Sequence, residues 1–436
     1  MPAPPATGRR SLRDASRPRA GTIPDGRAGC APVTDSARRD LVDRPVVAVL
    51  AAHWGSGGEE RWFTRQVAGA LACVADVHII CPDGRSSGTS TDGVFTLHRL
   101  GTPIDPVAEL RRDLIIEALA STGSDGSVIV VPDGVGDSLD DGLIEPWRGA
   151  DDALAELSPD LVVLAGHRNL GALRAIDRQP GSAPVVLVTL ALPGQFGTTD
   201  FFDPLVERAA RVITVTEDER QDVVRRYGRA EDVHRVGAPL AANSSVLVEP
   251  NSWVGDTDYL FVNTGIASGD TGMEAELSRL LRLRFDDRPV GVSYTDGFFV
   301  WHEGRRQTGW PVERSSDLAR LMAWARVTVD LHPGELFARS CVESLLYGTP
   351  IVVPGRSRAR EYAHEGGGGL WFDDPAELTW GVECLLETDA GPVLARQGRA
   401  YAEAEFGSTD RFIERVVRAC GLESEPAGRL EQPTHA

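Results

Sequence analysis

The sequence contains no lysine, so all 45 of its basic residues are arginines, and its 64 acidic residues leave a net charge of -19 at pH 7. The first 40 residues carry eight Arg and four Asp, which makes the remaining chain still more acidic. Nucleic acids and anionic membrane surfaces are bound mainly through basic patches that neutralise phosphate. The composition therefore disfavours both of them as partners.

Long apolar runs and paired cysteines are also missing. No apolar run approaches the ~20 residues of a membrane-spanning helix, so no transmembrane segment is expected. The six cysteines form no Cys-x2-Cys pair, and most of them lie in apolar segments. We therefore expect reduced core thiols in a cytoplasmic protein rather than disulfides or a zinc site. The acids at Asp133 and Asp137 do not have the spacing of a calcium loop, and no metal is predicted.

The chain of 436 residues is longer than one hydrophobic core usually supports, which favours two domains. Residues 1–43 are rich in Pro, Gly, Ala, Ser and Arg and lack the apolar stretch of a secretion signal, so we expect a disordered tail there. The predicted divisions after this tail are a domain at 44–240, a polar linker at 241–258, a domain at 259–405, a last helix at 406–421 and a disordered tail at 422–436.

Short apolar runs alternate with helical segments in both predicted domains. This alternation predicts an α/β fold with a doubly wound parallel sheet in each half. The predicted strands are 44–51, 77–81, 128–132, 161–165, 183–190, 206–215 and 233–237 in the first half, and 259–262, 289–294 and 327–331 in the second, with a further strand between the Gly-Thr-Pro stop and residue 354. Sheets of this kind bind ligands at the carboxyl ends of their strands.

Local signals also fix several helix ends. Thr216 is predicted to cap a helix that starts at Asp218, with Glu219 at the third position of a capping box. Another helix is predicted to begin near Ala338 and to end at Gly348.

Two acids flank the start of this second helix. Glu335 follows the break after the strand at 327–331, and Glu343 lies on the helix itself, with seven residues between the two acids. The amides of residues 336–338 would point from the helix N-terminus towards the end of the strand, where an anion fits. Two unrelated surface acids are the alternative interpretation of this spacing.

A glycine-rich loop follows the first predicted strand. Residues 53–60 read HWGSGGEE, and a helix is predicted directly after them. Glycines allow the backbone to approach a phosphate closely, although Glu60 stands where a dinucleotide fingerprint needs its third glycine. An ordinary turn between strand and helix is the alternative.

These motifs, taken along the chain, resemble the retaining GT-B glycosyltransferases of the family-4-like group (glycosyl transferases group 1). The resemblance rests on the Glu335 and Glu343 spacing, the Gly57-Gly58-x-Glu-Arg loop, the Pro-Asp strand at 159–165 and the Asp-Pro segment at 374–375. It implies a GT-B fold, in which two Rossmann-like domains face a cleft and a terminal helix crosses back to the first domain.

The resemblance also implies an activity and its partners. A sugar would pass from a nucleotide-sugar donor to an acceptor with retention, in glycan biosynthesis or a related process, without a metal or a further cofactor. The acceptor, whether glycan, lipid-linked sugar or small molecule, is not defined by the sequence. Glu335 would face the donor sugar and Glu343 would bind the ribose hydroxyls. His167 would take the part of a family histidine from a shifted position, with a lone loop histidine as the alternative.

The remaining donor-binding candidates come from the same resemblance. They are Gly57, Gly58, Gly265, Ser268, Gly309, Trp310, Leu336, Phe337, Ala338 and Arg358. Trp310 could stack on the base or simply pack in the core.

The chain departs from the family at the phosphate site. The family usually carries an Arg directly after the glycine at position 265 and a Lys four or five residues later, whereas Ile266 and Asp270 stand here. Arg358 and its neighbours at 356 and 360 are candidates for the missing positive charge, with a solvated arginine turn as the alternative. The departure leaves open a catalytically weak subunit that binds or scaffolds a partner. A nucleotide-sugar epimerase or hydrolase of the same fold is a separate alternative.

Overall fold

The computed structural model describes residues 44–52, 54, 59–82, 87–101, 145–166, 170–179, 183–190, 203–240, 260–263, 290–294, 297–302, 305–306, 322–331 and 337–423. These residues form two sheets with helices packed on them. None of the helices in these ranges is long and apolar enough to cross a membrane.

The first sheet has eight strands in the order β3-β4-β2-β1-β5-β6-β7-β8. Its strands are β1 (Val46–Leu50), β2 (Asp76–Cys81), β3 (Gly88–Asp92), β4 (Phe95–Arg99), β5 (Leu161–Ala165), β6 (Val185–Val188), β7 (Arg211–Thr214) and β8 (Val233–Arg235). Neighbouring strands run parallel apart from the antiparallel β3–β4 hairpin. The order of the strands reverses between β1 and β5, and sheets of this kind bind ligands in the crevice at such a point.

The second sheet has seven strands in the order β12-β11-β10-β9-β13-β14-β15. Its strands are β9 (Leu260–Asn263), β10 (Val290–Tyr294), β11 (Gly297–His302), β12 (Arg305–Arg306), β13 (Val327–Asp330), β14 (Ile351–Pro354) and β15 (Gly369–Phe372). The strands from β10 through β9, β13 and β14 to β15 are parallel, and β11 and β12 continue the edge as antiparallel strands. Its order reverses between β9 and β13.

The described helices follow the strands as the α/β prediction requires. They are α1 (Glu59–Leu71), α2 (Ala150–Leu157), α3 (Leu170–Asp177), α4 (Asp203–Arg208), α5 (Glu217–Tyr227), α6 (Arg339–Leu346), α7 (Ala359–His364), α8 (Pro375–Glu387), α9 (Ala390–Glu405) and α10 (Thr409–Cys420). The predicted cap of α5 is confirmed, since the Thr216 hydroxyl accepts the amide of Glu219 at 3.2 Å. Asp374 likewise caps α8 by accepting the amides of Ala376 and Glu377.

The last helix packs against the first sheet and its helices. Phe412 of α10 meets Phe63 of α1 edge to face at 6.1 Å between ring centroids. Arg211 of β7 donates to the backbone carbonyls of Arg418 and Ala419. We therefore call β1–β8 with α1–α5 and α10 the first unit, and β9–β15 with α6–α9 the second unit. The exact domain bounds given above stay predictions.

The two units share one buried core. Residues of β1, β5 and α1 form a continuous apolar cluster with residues of α6, α7, α9 and α10. This cluster joins the units at the side where α1 and α6 begin.

Two predicted strands and one hairpin without a prediction complete the comparison of the elements with the sequence. The predicted strand at 206–215 is wrong over its first part, because α4 continues to Arg208 and β7 begins at Arg211. The β3–β4 hairpin was not predicted, although Asp92 and Gly93 between two alternating runs are a hairpin signal. The predicted strand at 128–132 lies outside the described residues.

Candidate active site

The helix after β1 and the segment after β13 are in direct contact. The ring of Trp62 on α1 stacks on Phe337 at 5.9 Å, with 21° between the ring planes. Phe337 is buried and also meets the rings of Tyr362 and Phe406. The parts of the chain that follow one central strand of each sheet therefore lie side by side, which is the arrangement of a ligand cleft between two doubly wound sheets.

Ala338 turns the chain into α6. It is the N-cap residue, it is buried, and its φ of 50° and ψ of 53° lie in the left-handed region. A residue with a Cβ is strained in this conformation by about 1–2 kcal/mol, and strained residues of this kind collect at functional sites. Phe337 and Ala338, two of the predicted donor-binding residues, are therefore brought to the start of α6 next to the first unit.

The underside of α6 is anchored to β13 by polar contacts. The Cys341 thiol lies 3.1 Å from the Asp330 carboxylate, and the Thr328 hydroxyl donates to the Ser344 hydroxyl at 2.9 Å. All four side chains are buried. These bonds fix the rotation of α6 about its own axis and so determine which of its residues stand at the cleft.

Glu343 stands on the partly exposed side of α6. Its side chain is 19% exposed, and its Oε1 accepts a hydrogen bond from Nε of Arg339 at 2.6 Å. The guanidinium of Arg339 lies over the Trp62 ring, with 5.0 Å from Cζ to the ring centroid. The structure therefore places Glu343, the predicted ribose ligand, at the contact between the two units.

The first unit adds a carboxylate at the end of β5. Gly166 has a φ of 89°, and a Cβ built on it would lie 2.7 Å from Oε1 of Glu60. Glu60 therefore reaches from the first turn of α1 to the carboxyl end of β5, and the positive φ of Gly166 favours glycine opposite it. A dinucleotide-binding fingerprint would need a glycine at position 60. The glutamate found there instead packs against Gly166 at the end of β5.

Trp54, in the segment after β1, is fixed by contacts with the β3–β4 hairpin and α1. Its indole is 3% exposed, and its Nε1 donates to Asp92 at the tip of the β3–β4 hairpin at 2.9 Å. Arg65 of α1 also bonds Asp92 and lies over the Trp54 ring at 4.7 Å. Burial opposes the ionisation of Asp92, but the hydrogen bonds from Arg65 and Trp54 outweigh it and lower the pKa of the carboxyl.

Glu361 joins the units through a buried polar cluster that the sequence did not predict. Its carboxylate accepts the amide of Asp218 at 2.9 Å, at the N-terminus of α5. Arg235 of β8 and the Tyr401 hydroxyl lie 3.4 Å and 3.3 Å from the other oxygen. Burial raises the pKa of Glu361, and the charge of Arg235 opposes the rise.

Arg358 is buried against α5. Its side chain is 2% exposed, and Nη1 lies 4.0 Å from Oδ2 of Asp222. Burial raises the pKa of Asp222, and the charge of Arg358 opposes that rise. The neighbouring Arg356 and Arg360 are exposed, and Arg360 lies 5.8 Å from the Trp371 ring. A role of Arg358 at the donor phosphates stays a prediction.

The other predicted site residues lie outside the described part of the chain. They are Gly57, Gly58, His167, Gly265, Ser268, Gly309, Trp310, Glu335 and Leu336. Their assignments stay predictions. Within the described ranges, no group of three or more His, Cys, Asp and Glu side chains is arranged to hold a metal ion.

Comparison with known proteins defines the fold. No protein-family model and no curated protein sequence matches the chain. The trehalose-6-phosphate synthase OtsA matches its structure with a TM-score of 0.63 at 11% identity, covering 87% of this chain and 99% of that one. Sucrose-phosphate synthase from Thermosynechococcus elongatus matches with a TM-score of 0.58 at 13% identity, covering 87% and 99%.

A third solved structure shows the same arrangement. HepE of Anabaena, in complex with UDP and glucose, matches with a TM-score of 0.53 at 13% identity, covering 87% of this chain and 100% of that one. These likenesses, each over 87% of this chain, identify the fold as GT-B. At such identities they define the fold, and the chemistry of this chain is argued from its own residues.

Proposed function

We propose that the protein is a glycosyltransferase that moves a sugar from a nucleotide-sugar donor to an acceptor hydroxyl with retention at the anomeric carbon. The observation that carries this proposal is the place of Glu343. It is a partly exposed carboxylate on the helix after β13, at the contact between the two units of a GT-B fold. Support for the donor class comes from a matching E. coli trehalose-6-phosphate structure bound with UDP-2-fluoro glucose, and from HepE with UDP and glucose.

Each acid has a chemical task in this proposal. Glu343 accepts hydrogen bonds from the ribose hydroxyls, because a carboxylate is an acceptor for two neighbouring hydroxyls. Glu335 faces the sugar and stabilises the positive charge that develops at the anomeric carbon. Phe337 and Ala338 begin the turn into α6, whose first amides point towards the anionic end of the donor.

The transfer itself is proposed to occur on one face of the sugar. The bond from the anomeric carbon to the leaving phosphate oxygen breaks, and the bond to the acceptor oxygen forms on the same face. The acceptor proton passes to the departing phosphate oxygen, so atoms and charges balance without a covalent enzyme intermediate. We also propose a cytoplasmic location, which is supported by the buried thiols of Cys81, Cys341 and Cys420.

A thermal-shift panel tests the proposal. The protein is heated with UDP-, GDP-, ADP- and TDP-glucose, and with the free nucleotides. A bound ligand at 100 times its dissociation constant adds about 2.7 kcal/mol to the free energy of unfolding, which is readily visible as a rise in Tm. We expect one nucleotide series to raise Tm, and that series defines the donor.

The outcomes separate the alternatives. If no nucleotide sugar raises Tm, the enzyme proposal is wrong and a scaffolding subunit is favoured. If the selected nucleotide sugar is converted to its epimer or hydrolysed quickly without any acceptor, the reaction is not transfer. Transfer requires that the sugar label leaves the nucleotide faster when an acceptor mixture is added.

A further inference from the structure

Arg339 is an unexpected residue at the start of α6. It is the first residue of the helix, directly after the N-cap Ala338. A cation at a helix N-terminus is disfavoured by the helix dipole, and an Arg four residues before a Glu is the less favourable order of such a pair. The energetics of the helix alone therefore do not account for an arginine at this position. Its contact outside the helix, with Trp62, accounts for it.

Arg339 connects the two units. Its Nε donates to Oε1 of Glu343 at 2.6 Å, and its guanidinium covers the Trp62 ring at 5.0 Å. Trp62 belongs to α1 of the first unit, whereas Arg339 and Glu343 belong to α6 of the second. The three side chains thus form a continuous contact from one unit to the donor-side acid of the other.

Trp62 is a rigid support for this contact. Its ring stacks on Phe337, and Phe337 is 2% exposed and enclosed by Tyr362 and Phe406. A cation held against an aromatic face loses part of its freedom, and a planar guanidinium suits this contact better than an ammonium. Trp62 therefore limits the positions open to Arg339, although the arginine side chain is 43% exposed.

Glu343 has one oxygen engaged by Arg339 and no second side-chain partner among the described residues. When one oxygen of a carboxylate is held by a hydrogen bond, the second oxygen points in a defined direction. We propose that Arg339 is a positioning residue, which orients Glu343 for the donor ribose, and that Trp62 makes this orientation depend on the contact between the units. The inference rests on the proposed function, because it takes the ribose as the ligand of Glu343.

The proposal differs from a direct role of Arg339 at the donor phosphates. A residue that acts through Glu343 loses its effect once Glu343 is changed, whereas a residue that binds phosphate keeps its effect. If Arg339 acts through the contact of Glu343 with the ribose, its substitution should weaken binding of a ribonucleotide more than binding of the 2′-deoxy analogue. A merely structural role of Arg339 produces neither result.

The experiment measures dissociation constants by calorimetry for the nucleoside diphosphate chosen by the thermal-shift panel and for its 2′-deoxy analogue. The proteins are the wild type, Arg339→Gln, Glu343→Gln and the double variant. We expect Arg339→Gln to weaken binding of the ribonucleotide about tenfold, and binding of the deoxy analogue less than about twofold. Adding Arg339→Gln to Glu343→Gln should change neither constant further.

Two further variants complete the design. Trp62→Phe retains an aromatic face and should weaken binding less than Trp62→Ala. Arg399→Gln is the matched control, because Arg399 and Glu403 form the same i,i+4 pair at 2.8 Å on the exposed side of α9. It should leave every dissociation constant unchanged.

The outcomes that overturn the inference are distinct. If Arg339→Gln binds both nucleotides as the wild type does, Arg339 does not position Glu343. If its effect persists in the double variant, Arg339 contacts the donor itself. If the wild type binds none of the nucleotides, the proposed function fails, and the inference fails with it.

Discussion

Oε2 of Glu361 accepts the backbone amide of Asp218 at 2.9 Å, so an acid of the second unit caps a helix of the first. The N-terminus of α5 carries partial positive charge, which a carboxylate satisfies. Arg235 and Tyr401 complete the cluster around the other carboxylate oxygen. The two units are therefore joined by a buried ionisable group as well as by an apolar core.

The first prediction concerns the pH dependence of this contact. Burial raises the pKa of Glu361 above its ordinary 4.5, so the folded protein holds this proton more tightly than the unfolded chain. Between 4.5 and the raised value, the contribution of Glu361 to the free energy of unfolding falls as the pH rises. Glu361→Gln has no such group to ionise. The free energy of unfolding of Glu361→Gln minus that of the wild type should therefore increase as the pH rises from about 4 towards neutrality.

Urea unfolding of both proteins at several pH values gives this difference directly. Glu414→Gln, on the exposed face of α10, is the control for the loss of an acid in general. A difference that stays constant with pH, or that moves the other way, would show that Glu361 is no harder to ionise in the folded protein.

The second prediction separates the two acids of the proposed site. Glu335→Ala should abolish transfer while the donor still binds, because Glu335 is assigned to the charge at the anomeric carbon. Glu343→Ala should chiefly weaken donor binding, by about tenfold or more, because it is assigned to the ribose. Steady-state transfer kinetics together with calorimetric titration of the donor measure both effects.

An acid far from the proposed site serves as the control for these variants. Glu387→Ala removes an exposed carboxylate at the end of α8 and should leave both constants unchanged. Full transfer activity in both Glu335→Ala and Glu343→Ala contradicts the assignment of roles.

The third prediction compares two helical glycines. A Cβ on Gly398 of α9 would lie 2.6 Å from Cα of Gly368, whereas a Cβ on Gly69 of α1 meets nothing within 4 Å. Alanine favours a helix interior by about 1 kcal/mol over glycine. Gly69→Ala should therefore raise the free energy of unfolding by roughly 0.5–1 kcal/mol, and Gly398→Ala should lower it by roughly 1–3 kcal/mol through overpacking.

Chemical unfolding of the two variants is the measurement, and each serves as the control for the other. Equal effects would mean that α9 does not lie as close to the turn before β15 as the structure shows.

The fourth prediction concerns Trp54. The change Trp54→Phe keeps the ring under Arg65 but removes the hydrogen bond to Asp92. Since Asp92 is 39% exposed, we expect a loss of only about 1 kcal/mol at neutral pH. The pKa of Asp92 is lowered in the folded protein, so its stabilising contribution is present above 3.8 and is lost as the pH falls further.

Unfolding at pH 7 and at acid pH tests this sign. The difference between the wild type and Trp54→Phe should shrink as Asp92 is protonated. A loss that is the same at both pH values would assign the effect to packing of the smaller ring.

Local patterns predicted much of this fold. The apolar run at 161–165 matches β5 in full, and Thr216 caps α5 as expected. In each of these cases the signal and the structure it determines lie within a few residues of each other. The helix that carries Glu343 was located for the same reason.

Contacts between distant parts of the chain could not be predicted in this way. Glu361 and Asp218 are 143 positions apart, and no spacing rule connects them. The pairing of Arg339 with Glu343 could be read from their four-residue separation, but the contact of Arg339 with Trp62 could not. Such pairs are set by how the two sheets meet, which is a property of the whole chain.

The return of α10 to the first unit has a consequence for synthesis. Phe63 of α1 is covered by Phe412, which the ribosome adds only after all the strands of the second sheet. Since translation proceeds at about 5–20 residues per second, the apolar face of α1 waits tens of seconds for its cover. The unit whose strands are made first is therefore the unit that is completed last, and the nascent chain carries an open apolar surface until α10 emerges.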